Sequence, residues 1–139
     1  MSLFYIIAAL LMFGIMITVH EAGHFYAARL SGIPVREFAI GFGPKLLSWK
    51  SKKYETQFSV RAIPLGGFCA FYGEDDGRDE VKQDPAYFGN HSAFRRLMTI
   101  LAGPVMNLLL AFVVAIGFYM LSGLPTITGP SVTTIQSVT

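Results

Sequence analysis

Two long apolar runs bracket a charged middle. Leu3 to Val19 is apolar except for Gly14 and Thr18, and the helical pattern continues through His20 to Arg29. This predicts one helix over about residues 3–30. At 1.5 Å per residue it has a turn or two to spare over a span of about 20 residues. A cleaved leader would want a basic start and a short apolar core. No basic residue precedes this run, so a retained helix is expected. Ser31-Gly32-Ile33-Pro34 closes it with a glycine and then a proline that cannot continue it. The second run, Leu97 to Leu121, is uncharged and carries Gly103-Pro104 and Asn107 in its first half.

Between the runs the pattern changes. Val35 to Ile40 reads as a strand and Gly41-Phe42-Gly43-Pro44 as a turn. Leu46 to Lys50 and Tyr54 to Ile63 read as a hairpin joined through Ser51-Lys52-Lys53. In the second of these, Phe58, Val60 and Ala62 alternate with Ser59 and Arg61. Pro64-Leu65-Gly66-Gly67-Phe68 is expected to break into an apolar, glycine-rich loop, and Glu74 to Asp84 to form a solvated acidic one. The acidic stretch lacks the carboxylate spacing of a calcium loop. Ser122 to Thr139 is polar and β-prone and reads as the beginning of another domain.

The expected fold is therefore a membrane α-helical one with a β-rich insertion. Two transmembrane helices, at 1–30 and 97–121, flank a membrane-associated segment at 31–96, and 122–139 is an extracytoplasmic linker. Composition agrees. The chain of 139 residues is 53% hydrophobic and 14% charged, against about 25% charged in a typical soluble domain. All 9 acidic residues lie between Glu21 and Asp84, and all 11 basic ones between Arg29 and Arg96. Arg29, Arg36, Arg95 and Arg96 flank the spans on the side of the middle segment. The positive-inside rule places that segment in the cytoplasm and both termini outside, in a multi-pass plasma-membrane protein. A net charge of +2 gives no argument for nucleic acid. The single cysteine, Cys69, excludes an internal disulfide and reads as a small packed residue.

The chemistry is concentrated in His20-Glu21-Ala22-Gly23-His24, near the cytoplasmic end of the first span. Four-residue spacing stacks the two imidazoles on one helical face, where both can reach one Zn2+. Zinc lowers the pKa of the water it holds to about 7. Glu21, beside the first ligand, is placed to take that proton as general base and return it to a leaving amine. Ionisable groups in a span are expensive and usually functional. Gly23 leaves room for a partner helix or a substrate near the metal. A catalytic zinc normally has three protein ligands. His91, the remaining histidine, sits among polar residues with no metal spacing and is expected at the surface. Asn107 reads equally as an inter-helix hydrogen bond or as a group that binds substrate backbone at the metal.

With these residues in view, the chain resembles the site-2 protease family of intramembrane zinc metalloproteases, nearest to the bacterial type that carries a PDZ domain and cleaves anti-sigma factors. The resemblance rests on His20-Glu21-Ala22-Gly23-His24, Gly41-Phe42-Gly43-Pro44, Ile63-Pro64-Leu65-Gly66-Gly67-Phe68 and Gly103-Pro104-Val105-Met106-Asn107, in this order. It implies that His20 and His24 are zinc ligands and Glu21 the catalytic glutamate. It also implies that Asn107, Gly66 and Gly67 lie near the active site and the substrate, and that 35–68 presents a strand edge to an unwound substrate. The implied partners are a single-span membrane protein as substrate, the lipid bilayer and the remaining C-terminal part of the same protease. The family's third ligand is an aspartate of a later span, which is not in this chain. The chain is thus expected to be an N-terminal portion, inactive alone. Two rivals stand beside this reading: a non-enzymatic membrane adaptor that keeps a zinc-like motif, and a membrane-tethered zincin acting on soluble peptides.

Overall fold

The first apolar run forms α1 (Ser2–Leu30), within a residue of the expected bounds. The computed structural model describes residues 2–74 and 78–123, so the expected linker lies outside the described residues from 124 onward. Gly32, at φ +71, ends α1. Its N–H reaches the carbonyl of Arg29 at 3.2 Å and that of Ile33 the carbonyl of Ala28 at 2.8 Å. This is a Schellman closure, and its apolar pair, Ala28 and Ile33, is fully buried.

The middle segment corrects the expected strands. It holds two long antiparallel strands, β1 (Val35–Lys50) and β2 (Gln57–Phe71), and a turn at 51–56. Gly41–Pro44 is a bend inside β1 rather than a turn between strands. Pro64–Phe68 belongs to β2 rather than to an irregular loop. The reason lies in the ladder: Gly67, Phe68, Cys69 and Ala70 pair with Ile40, Ala39, Phe38 and Glu37, which satisfies backbone groups that a loop would leave to water. The register shows that both strands fold over. Glu37–Ile40 faces Gly67–Ala70 on one side and Gln57–Val60 on the other, the latter advancing in step. Lys45–Lys50 faces Gln57–Arg61. Four ranks therefore lie side by side in the order 45–50, 57–61, 37–40, 67–70. At the corner of β1, Gly41 has φ +87, and any side chain there would meet the carbonyl of Ile63 at 2.6 Å.

Glu37 ties three ranks together. Its carboxylate accepts from the Ser59 hydroxyl at 2.6 Å, from Arg61 at 3.0 Å and from Lys45 at 3.1 Å. Burial alone would push this carboxyl up; the Ser59, Lys45 and Arg61 contacts outweigh it and hold it below the usual carboxylate range. The buried face is thus mixed, with Glu37 between Val35 and Ala39 in β1. Ser59 and Glu37 are buried, whereas Ile40, Phe42, Leu46, Leu47, Trp49, Ile63 and Leu65 are exposed. A small apolar cluster of Ala28, Ile33, Val35 and Phe71 joins the end of α1 to the sheet, with Phe88 stacked on Phe71 at 4.7 Å.

The bent sheet lies along α1. The Pro64 carbonyl approaches Gly14, 3.3 Å from where a side chain would begin. Gly14 is sixteen residues before Leu30, so the corner of β2 reaches about 24 Å up the helix. The opposite end of the sheet stays at the C-terminus of α1, where the Arg29 guanidinium covers the Tyr54 ring at 3.8 Å.

The acidic stretch is not all loop: Asp79–Lys82 forms the short helix α2, and a 3-10 turn follows at Phe88–Asn90. Then α3 runs from Ala93 to Ser122, starting four residues before the expected position because the Ser92 hydroxyl caps it, accepting from the Arg95 N–H. α1 and α3, of 29 and 30 residues, are both long and apolar enough to cross a membrane.

Candidate metal centre

Helical periodicity alone puts His20 and His24 on one face of α1; packing against α3 decides where that face points. Gly23 is buried against the carbonyl of Ala102 and the side chain of Met106, so close that a methyl group would not fit. The opening expected at Gly23 is taken by a partner helix. Gly103 of α3 then lies directly under the two imidazoles. A side chain there would begin 2.5 Å from His24 Nε2 and 2.7 Å from His20 Nε2. Both Nε2 atoms therefore converge over one glycine. The rings stand edge to face with centroids 4.8 Å apart.

The Nδ1 atoms face α3 instead. His24 Nδ1 lies 2.8 Å from the carbonyl oxygen of Thr99. A carbonyl only accepts, so this nitrogen carries a proton, and the contact fits the tautomer whose Nε2 lone pair is free for a metal. His20 Nδ1 lies 3.1 Å from the side-chain amide of Asn107. Thr99, Gly103 and Asn107 are spaced by four, the same step as His20 and His24, and so form one ladder on α3 facing the other on α1. The role of the Thr99 backbone is not readable from residue type. The shared four-residue step across the two apolar runs was the available signal.

Glu21 is half-buried on the sheet side. Its Cγ is 3.7 Å from where a side chain on Gly67 would begin, and Gly67 itself abuts the carbonyl of Ala39. Gly66, at φ +116, lies under the ring of Phe42. The two glycines thus bring the backbone of β2 up to the carboxylate. Ligand atoms of His20, Glu21 and His24 all lie within 4.8 Å of one another, and among the described residues no other such group forms. His91 stands apart at the end of the 3-10 turn, half-buried rather than at the surface, with Nε2 unpartnered. Cys69, also near, is a free cysteine whose thiol is pushed up to about 12 by burial, then by the charges of Glu21 and Glu74.

The donor set fits a zinc ion. Two imidazole nitrogens converge, at least one with its tautomer favoured by an acceptor behind it, and an oxygen donor stands beside them. Comparison with known proteins agrees with that chemistry. The sequence profile described as Peptidase family M50 matches residues 8–139.

The chain belongs to peptidase family M50.

This is the site-2 protease family expected from the motifs. A protein of Clostridium acetobutylicum, named as a putative zinc metalloprotease, is 50% identical over 113 residues, 81% of this chain and 32% of its own length. A protein of Synechocystis under the same description is 44% identical over 117 residues, 84% of this chain and 31% of its own. Zinc metalloprotease Rip1 of Mycobacterium tuberculosis is 35% identical over 119 residues, 84% of this chain and 29% of its own. This M50 chain thus spans about a third of the length of the curated relatives it matches.

Proposed function

We propose that this chain is the N-terminal part of an intramembrane zinc endopeptidase, with His20 and His24 as metal ligands and Glu21 as the proton-transfer group. One observation carries the reading. The two Nε2 atoms converge over Gly103, and ligand atoms of His20, Glu21 and His24 lie within 4.8 Å of one another on a helix apolar enough to cross a bilayer. Large side chains such as Leu3, Phe4, Phe112 and Met120 are 65–82% exposed along both helices. Apolar surface of that extent is at home in lipid. The basic flanks Arg29, Arg36, Arg95 and Arg96 favour the Arg29 end of α1 and the start of α3 at the cytoplasmic face, with both termini outside, in the plasma membrane of a bacterium.

A zinc ion at the site supplies Lewis acidity toward water and the scissile carbonyl. The rest is the work of the chain. His20 and His24 hold the ion from one helical face. The Glu21 carboxylate takes the proton that the attacking water gives up and hands it to the nitrogen of the leaving amine. The C–O bond forms first, by addition of water to the carbonyl; the C–N bond breaks afterwards, as its nitrogen takes the proton from Glu21, and no other co-reactant is needed. A substrate must be extended there, because a helix keeps its carbonyls hydrogen-bonded. The rank 67–70 ends the sheet next to Glu21, and no further strand pairs with it among the described residues. An unwound segment of a single-span membrane protein adding to that edge would pass the carboxylate at Gly66 and Gly67. Anti-sigma factors are such substrates, and a PDZ domain belongs to the same reading. The third ligand comes from the remaining two-thirds of the protease, so this portion alone should not cut.

The test is Glu21→Gln in the full-length protein with a single-span membrane substrate. Cleavage should disappear while zinc remains bound. Retained turnover removes Glu21 from its role, and absence of cleavage by the unaltered protein favours the adaptor reading.

A further inference from the structure

Both histidines present Nε2 to the same space, so each needs its proton on Nδ1 if that space holds a metal. The Thr99 carbonyl secures this for His24 at 2.8 Å. His20 faces a group that can act either way. Asn107 Nδ2 lies 3.1 Å from His20 Nδ1, while Asn107 Oδ1 is buried with no hydrogen-bond partner. A half-turn of the amide exchanges its two ends without moving the side chain's outline. With nitrogen toward the ring, Nδ1 accepts and the imidazole proton sits on Nε2, over Gly103, where it blocks ligation. With oxygen toward the ring, Nδ1 donates and Nε2 is free.

We infer that Asn107 is a positioning residue for the metal: its amide oxygen takes the Nδ1–H of His20 and so holds Nε2 as the ligand atom. The inference rests on the zinc reading above. α3 then provides both acceptors from one face, the Thr99 carbonyl for His24 and the Asn107 amide for His20, one turn either side of Gly103. The location gives the amide a need for a partner. Asn107 borders an apolar groove of about 480 Å³ between the helices, lined by Met12, Phe13, Met16, Leu110 and Val114. A polar group in such surroundings is costly unless it is partnered.

Zinc affinity of the purified full-length protein, measured by competition with a chelator, separates the alternatives. Asn107→Leu keeps the outline but cannot accept, and should weaken zinc binding about 10- to 100-fold. Asn107→Asp keeps the acceptor and should stay within a few-fold of the unaltered protein, a rescue that a merely structural role would not produce. The inference is overturned if Asn107→Leu binds zinc as tightly as the unaltered protein, the result expected of a group that touches only substrate. It is overturned also if Leu and Asp weaken binding equally. Failure of the unaltered protein to bind zinc, with His24→Ala indistinguishable from it, would instead sink the metal reading itself and take this inference with it.

Discussion

His24 donates its Nδ1–H to the carbonyl oxygen of Thr99, 2.8 Å away and seventy-five residues along the chain. The second imidazole of the motif is therefore oriented by α3, not by the helix that carries it. Whatever disturbs the contact between the two helices disturbs the donor set.

Gly103 is where that dependence is sharpest. A methyl group there would lie 2.5 Å from His24 Nε2 and 2.7 Å from His20 Nε2. Gly103→Ala should strip zinc from the full-length protein, read as metal content per chain. It should do so although alanine favours a helix over glycine by about 1 kcal/mol. Gly117→Ala on the same helix meets nothing within 4 Å and should leave zinc in place. Equal zinc in both variants would mean that the imidazoles do not converge over Gly103.

Glu37 should set an acid limit on the sheet. Its carboxyl is held below the usual range in the folded protein. Its contribution is therefore complete above the ordinary carboxylate value of about 4.3 and is lost as pH falls through the lower folded value. Glu37→Gln should cost about 1–3 kcal/mol near neutrality, toward the lower end because Lys45 is partly exposed and screened. Thermal unfolding from neutral to acid pH should show the two proteins converging. A constant gap at all pH values would refute the charge-based account.

Cys69 should be chemically quiet. Burial, with Glu21 and Glu74 nearby, pushes its thiol up to about 12, and only the thiolate is a good nucleophile. At about pH 8 a maleimide should label the native protein at least roughly tenfold more slowly than the denatured one. Rapid native labelling would show that the thiol is open to water.

The two helices were legible because long uncharged runs have few other uses. The C-terminal end of α1 was legible because Gly32 and Pro34 punctuate it. The middle segment was only half legible. Val35 and Lys50 bound strands as expected, but the second strand runs on past the expected Ile63 to Phe71. Gly41–Pro44 and Pro64–Phe68 look locally like turns. They are bends in continuous strands, sustained by pairing with positions distant along the chain, such as Phe42 with Ile63 and Ile40 with Gly67. The burial of Glu37 and Ser59 was hidden for a similar reason. Ser59 and Arg61 look like a solvent face until Glu37, from another rank, is seen to collect them. The helical Asp79–Lys82 was missed because a single turn carries little periodicity.

By itself the sequence determined the local terms: two apolar helices, a metal-capable pair one turn apart, and a carboxylate next to it. Those follow from spacing along a single helix. The tertiary structure decided the rest. It placed Gly103 under the imidazoles, the Thr99 carbonyl and Asn107 behind them, and Gly67 against Glu21. These relationships depend on which face of α1 meets α3 and how the sheet bends along it. They are settled by close packing at Gly23 and Gly103, where no side chain intervenes, and no pattern within one segment can express that.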